Sequence, residues 1–265
     1  MREGQLNFPG VKLWYRDQGG SGEPVVFMHA ATGHAGFFES SQIPVFAAAG
    51  YRPIVYDRRG YGRTVCEGDA VKEGSAAQDL LALVNELGLE RFHLIGTAGG
   101  GIICLDFALG HAQRLISLVV ANSLGGAQDA DFLALCNGLR PPQFNILPDD
   151  FKELGPEFRA AQSVRLDLWR VLAQSTLAGG TRAASQAMQN KITFSALEKL
   201  RLPTLFLTGD ADLYSPPAIV KRYANCIPAA RFQSVAEVGH SLYWEMPAVF
   251  NEIVLKFIGN ANGLD

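Results

Sequence analysis

Five short apolar runs punctuate the chain: Val25-Val26-Phe27-Met28, Ile54-Val55-Tyr56, Phe92-His93-Leu94-Ile95, Leu118-Val119-Val120 and Leu205-Phe206-Leu207. Runs this short and this uniformly apolar suit strands buried on both faces, not surface strands that alternate polar and apolar residues. Between most of them, residues 37–49, 75–87, 100–109 and 216–224 carry apolar side chains three to four apart, the spacing of crossover helices. Ser75 followed by Gln78 marks one helix start, with the hydroxyl as cap and the amide closing back on it. Strands alternating with helices predict an α/β fold whose central sheet is mostly parallel and covered by helices on both faces. Ligands of such sheets bind at the carboxyl ends of the strands. Ahead of the first run, residues 6–18 alternate moderately around Pro9-Gly10, which predicts an N-terminal hairpin closed by the glycine-rich turn Gly19-Gly20-Ser21-Gly22.

The rhythm fails once. Between Ser123 and Leu200 no buried strand is evident. Asp129 to Leu139, Asp149 to Leu154, Pro156 to Leu177 and Thr181 to Asn190 are expected to be helical, separated by Pro141-Pro142, Pro148 and Gly179-Gly180. The expected organisation is a core of residues 1–123 and 201–265 with a helical cap, 124–200, inserted between two strands. A chain of 265 residues, 48% of them apolar, can bury a core of that size.

Charge narrows the partners. The 23 basic and 26 acidic residues are scattered without runs, for a net charge of −3, which argues against nucleic acid or an anionic membrane and for a small-molecule substrate. Cys66, Cys104, Cys136 and Cys226 show neither C-x-x-C nor Cys/His ligand spacing, so reduced thiols are expected and no metal or other cofactor. No stretch approaches the roughly 18 apolar residues of a membrane span, and the N-terminus has no apolar signal region; a cytoplasmic protein is expected. Monomer and homodimer stay equally open.

The chemistry concentrates in three loops. Gly96-Thr97-Ala98-Gly99-Gly100-Gly101 leads from an apolar run into a helical pattern, the setting of a G-x-S-x-G nucleophile elbow with Ala98 at the place of the serine. An alanine methyl cannot attack a carbonyl. A phosphate loop also puts glycines here, but there is no G-x-x-x-x-G-K-[ST], and the turn lies too far along the chain for the first unit of a dinucleotide domain. Downstream, Thr208-Gly209-Asp210-Ala211-Asp212 ends a strand with two candidate acids, and Val238-Gly239-His240-Ser241 places a histidine before the last helix. Nucleophile, acid, histidine is the chain order of one triad class.

Together with Met28-His29-Ala30-Ala31 and Tyr56-Asp57-Arg58-Arg59-Gly60-Tyr61-Gly62, these loops resemble the α/β-hydrolase superfamily over nearly the whole chain, and more narrowly its enol-lactone hydrolases and carboxylesterases. The resemblance selects Asp212, the last residue of G-x-x-D, over Asp210; the other position where the family can carry its acid holds Asn122 and Ser123. It makes His240 the general base and then the general acid. It assigns the oxyanion hole to the amides of Ala31 and Gly99, although this chain has His29-Ala30 where the family has His-Gly. His29 is expected to be structural, Thr97 to point away from the site, and Trp169 and Tyr214 to line the pocket. His34 either binds a substrate oxygen there or faces solvent. Phe132, Phe144, Phe158, Leu166 and Leu172 are cap core or roof.

The function implied is a serine hydrolase of a small apolar ester or lactone, in an inactive, substrate-trapping form with alanine for the nucleophile. The alternatives are a C–C bond hydrolase of a ring-cleavage product, a nucleophile-less His–Asp lyase, decarboxylase or cofactor-free oxygenase, and a non-catalytic ligand-binding protein. A C–C hydrolase would need a cationic anchor, for which Arg58, Arg59 and Arg165 are available, though the resemblance makes the Arg58-Arg59 loop mainly structural.

Overall fold

The apolar runs form the interior strands of a single sheet. In the computed structural model, which describes residues 1–176 and 186–261, the strands are β1 (Arg2–Phe8), β2 (Val11–Asp17), β3 (Pro24–Met28), β4 (Arg52–Tyr56), β5 (Val65–Cys66), β6 (Phe92–Thr97), β7 (Leu115–Ala121), β8 (Thr204–Gly209) and β9 (Ala230–Val235). Their order is β1-β2-β4-β3-β6-β7-β8-β9, with β5 on β2. From β4 to β9 neighbouring strands run parallel; the β1–β2 hairpin joins this body antiparallel, through β2 on β4. Along each interior strand successive side chains enter opposite cores. Val26, Leu94, Val120 and Phe206 face one, and Val25, Phe27, Ile95, Val119 and Leu207 the other. Burial on both faces is the reason these runs show no polar alternation.

The structure departs from the expected elements where local pattern is weak. Phe8 pairs with Val11, so Pro9-Gly10 makes the hairpin turn, Gly10 at φ 66°, and Gly19 to Gly22 instead link the hairpin to β3. Residues 37–49 form two short helices, Gly36–Glu39 and Ile43–Ala48, in place of one. β9 gave no apolar run because it is an edge strand of half-exposed residues, Ala230-Arg231-Phe232-Gln233-Ser234-Val235. The capping box at Ser75 forms as expected, with reciprocal 3.1 Å bonds to Gln78.

Between β7 and β8 the described residues hold the helices Ala130–Gly138, Asp149–Glu153, Pro156–Ala161, Ser163–Gln174 and Phe194–Leu197. The helix expected over Pro156 to Leu177 breaks at Gln162, and Leu177 lies outside the described residues. Of the helix expected over Thr181 to Asn190, residues 181–185 lie outside the described residues; 186–190 are not helical, and Ala187 bridges to Ser75. The parallel strands point their carboxyl ends one way, so the loops after β3, β6 and β8 gather at one edge of the sheet.

Phe206 is fully buried on β8, its ring centroid 5.8 Å from that of Tyr223. Phe206→Ala is expected to lower the unfolding free energy by about 3–5 kcal/mol through lost burial and the cavity left behind. Urea titration reads this, and a loss below about 1 kcal/mol would contradict the packing described.

Candidate active site

β6 passes into the helix Gly99–His111 through the single residue Ala98, at φ 50° and ψ −117°. Such a conformation costs an L-residue about 1–3 kcal/mol and persists only where its surroundings impose it. Here they do. Ala98 donates to Ala121 O at 2.9 Å, and its carbonyl accepts from Gly101 N at 3.0 Å and from Ser123 Oγ at 2.6 Å. A Cβ on Gly96 would lie 2.5 Å from Cys104 Sγ, and one on Gly100 only 2.4 Å from Met28 O. Strand and helix therefore meet at a separation that only glycine permits at these two positions. Ala98 keeps the full geometry of an elbow without its hydroxyl. Neither adjacent hydroxyl replaces it: Ser123 is committed to Ala98 O, and Thr97 is fully buried outside the cavity.

Ala98 forms the floor of a cavity of about 160 Å³, with Ala31, Gly99, Tyr214 and His240 among its walls. A Cβ on Gly99 would lie 3.5 Å from Ala31 N, so the two backbone segments run side by side. The Gly99 amide opens a helix and has no intrahelical acceptor, and Ala31 follows a loop held in place by His29. His29 Nδ1 donates to Ala30 O at 2.7 Å, and Nε2 accepts from Arg58 N at 3.0 Å. Burial, reinforced by the Arg58 charge, holds its pKa well below the ordinary histidine value, so this imidazole is neutral and acts as a loop pin.

His240 Nδ1 lies 2.9 and 2.8 Å from the two oxygens of Asp212. Asp212 in turn accepts from Tyr214 N and Ser215 N at 2.8 Å, Ser215 Oγ at 2.7 Å and Asn122 Nδ2 at 3.1 Å. Burial alone would raise its pKa; the His240 charge and these donors hold it far below the usual carboxylate range. Burial alone would depress His240, but the charges of Asp212 and Glu153 outweigh it and raise its pKa. The carboxylate thus fixes the tautomer with Nδ1 protonated and leaves Nε2 for proton transfer.

Residues 25–253 match the alpha/beta hydrolase family. The chain belongs to that family. A 2-hydroxy-6-oxononadienedioate/2-hydroxy-6-oxononatrienedioate hydrolase of Cupriavidus pinatubonensis is 28% identical, over 98% of this chain and 94% of that protein. Among solved structures, a thermophilic esterase from Thermogutta terrifontis superposes with a TM-score of 0.80 at 23% identity, covering 98% and 99% of the two chains. The enol-lactonase from Burkholderia xenovorans does so with 0.77 at 20%, covering 94% and 97%.

In this alpha/beta hydrolase the helical segment between β7 and β8 adds a residue that the sequence did not single out. Glu153, last residue of the helix Asp149–Glu153, is buried and lines the cavity beside Thr32. Its Oε2 has no hydrogen-bond partner among the described residues. Burial raises its pKa, with His240 opposing and Asp212 adding to the rise. Pro148-Asp149-Asp150-Phe151-Lys152-Glu153 reads as an ordinary acidic surface helix, so nothing local signals that its last carboxyl turns inward. Glu245 was also missed; it accepts from Gly155 N, Gly239 N and Ser241 N and so ties the histidine loop to the cap.

Other expected residues take different places. Tyr214 lines the cavity, its ring 4.6 Å from that of His240. His34 does not: it accepts from Gly36 N and meets Ser175 Oγ at 3.3 Å, because the short helix Gly36–Glu39 turns it toward the cap. Trp169 does not line it either, since it is buried in the core against Phe37. Phe158 and Leu166 join that same core, Phe132 packs on Phe194 and Tyr223, and Phe144 backs Tyr214 at 5.1 Å. Arg59 is structural, bidentate to Asp79 at 2.8 and 2.7 Å, and Arg165 is bonded to the Trp244 and Glu245 carbonyls. Among the described residues no group of three or more His, Cys, Asp or Glu could hold a metal, and no helix is long and apolar enough to cross a membrane.

The opposite shifts of the dyad set its pH window. Asp212, depressed in the folded state, stabilises above its unfolded value near 3.8, and the contribution is lost as pH falls through the lower folded value. His240, raised, stabilises below its unfolded value near 6.5, and the contribution is lost as pH rises through the higher folded value. Asp212→Asn removes the main charge opposing burial, so the His240 pKa is expected to fall below 6.5. An imidazole NMR titration reads it; an unchanged pKa would contradict the coupling.

Proposed function

We propose that the cavity binds a small, largely apolar ester or lactone, with its carbonyl oxygen toward the Ala31 and Gly99 amides, and that Ala98 stops the reaction before any covalent step. The observation carrying this reading is that Ala98 holds the strained elbow conformation, with the His240–Asp212 pair and both amides disposed around it. A serine in that conformation would attack the carbonyl through Oγ while His240 takes its proton. The resulting oxyanion would sit on the two amides, and the imidazolium would hand its proton to the leaving oxygen. Water would then release the acyl group by the same steps. With a methyl at residue 98 no acyl-enzyme forms, and the bound compound survives. The esterase and enol-lactonase names of the structural neighbours are in keeping with this substrate class. The name of the Cupriavidus relative keeps a C–C hydrolase of a ring-cleavage product beside it.

Glu153 favours one second reading. Burial shifts its carboxyl toward the protonated form, and it lines the same cavity as a histidine whose Nε2 can accept a proton, an acid and a base side by side as a nucleophile-free lyase or decarboxylase would need.

Ala98→Ser decides among these. The serine form is expected to hydrolyse p-nitrophenyl esters or lactones at least about 10³-fold faster than the alanine form, and to be labelled by a fluorophosphonate. A folded serine form with neither property overturns the proposal. Turnover by the alanine form that vanishes in His240→Ala selects the acid–base reading, and ligand binding with no turnover by either form selects a non-catalytic protein.

A further inference from the structure

A second cavity, of about 420 Å³, adjoins the first and shares Ala31, Gly99 and Ile102 with it. Its walls are apolar at Ile103 and Met188, and Arg58 enters it from the loop after β4. Asp106 and Arg59 also border it, but both are already matched: Asp106 by Gln189 N, Asn190 N and Asn190 Nδ2, and Arg59 by Asp79. Arg58 is different. Its Nη2 donates to Ala30 O at 3.0 Å and its guanidinium lies 4.6 Å from the Tyr61 ring centroid, yet it makes no salt bridge among the described residues. Its Nε is buried with no hydrogen-bond partner among them. Burial lowers the Arg58 pKa and no carboxylate stands among the groups opposing it. Arg58 is half-buried with its Nε enclosed, and a partly desolvated cation with no carboxylate partner is a place where a ligand can supply the missing charge.

We propose that Arg58 anchors a carboxylate carried by the acyl compound itself, so that the substrate spans both cavities, with its carbonyl over Ala98, its apolar stem along Ile102 and Ile103, and its anionic end on the guanidinium. A planar fork of donors suits a carboxylate over a monatomic anion. The stem and carbonyl rest on the reading of the first cavity as an acyl site; the anion site itself does not.

Calorimetry on the whole alanine protein separates the two. Monomethyl adipate, an ester with a carboxylate, is expected to bind at least about tenfold more tightly than the neutral dimethyl adipate, as one charge-assisted hydrogen bond allows. Arg58→Met should abolish the preference and Arg58→Lys retain part of it, with circular dichroism verifying that both fold, since Arg58 also supports the Ala30 carbonyl. The comparison of the two esters on the unaltered chain needs no variant. Equal binding of the two esters, or a preference that survives Arg58→Met, overturns the carboxylate subsite and leaves the acyl reading intact. Hexanoate binding that depends on Arg58, with neither ester bound, upholds the subsite and overturns the acyl reading. No binding by any of the three overturns the subsite.

Discussion

The site depends on how closely β6 and the helix Gly99–His111 approach each other. Gly96 faces the first helical turn and Gly100 faces the Met28 carbonyl, with no room for a side chain at either. The connection between strand and helix must then turn within one residue, and residue 98 is driven to positive φ whatever its side chain is. The strain stored there is a property of the backbone alone. The same packing brings the Gly99 backbone alongside Ala31, so the backbone geometry around residue 98 follows from the contacts of Gly96 and Gly100.

Around that contact the electrostatics are unevenly distributed. Asp212 collects donors from Asn122, Tyr214 and Ser215 and stays ionised despite burial. Glu153 and Glu245 are buried nearby with raised pKa values, Glu245 among three backbone amides and Glu153 with one oxygen that finds no partner among the described residues. Three carboxyls of one residue class thus take three roles around His240, decided by how many donors each receives.

What could be read in advance divides along the same physical line. Buried parallel strands announce themselves because both faces are apolar, and the glycine-rich elbow and the Gly239-His240 loop are local motifs; these placed the sheet, Ala98, Asp212 and His240. Edge strand β9, with its exposed Arg231 and Gln233, lacked any such signature. Glu153, Thr32 and Leu124 reach the cavity only through the packing of distant segments. His34 and Trp169 lie outside the lining of that cavity for the same reason: the packing of the segments Gly36–Glu39 and Ser163–Gln174, not sequence distance, decides which way they face. Arg58 and Arg59 are adjacent, and only the fold reveals that one is neutralised by Asp79 while the other is not.

Glu245 has a mechanical role. One carboxylate grips Gly155 in the cap, Gly239 before the histidine and Ser241 after it. The Gly239 backbone also lies so close to Gly155 that a Cβ there would come within 2.4 Å of its nitrogen. His240 N donates to Glu153 O at 2.8 Å, a further tie between the same two segments. The segment at Gly155 and the histidine loop are therefore fastened to each other: loss of the Glu245 carboxylate would free both and loosen the backbone that aims the imidazole. One carboxylate thus sets both the position of the Gly155 segment and the aim of the imidazole, so neither can be altered without the other.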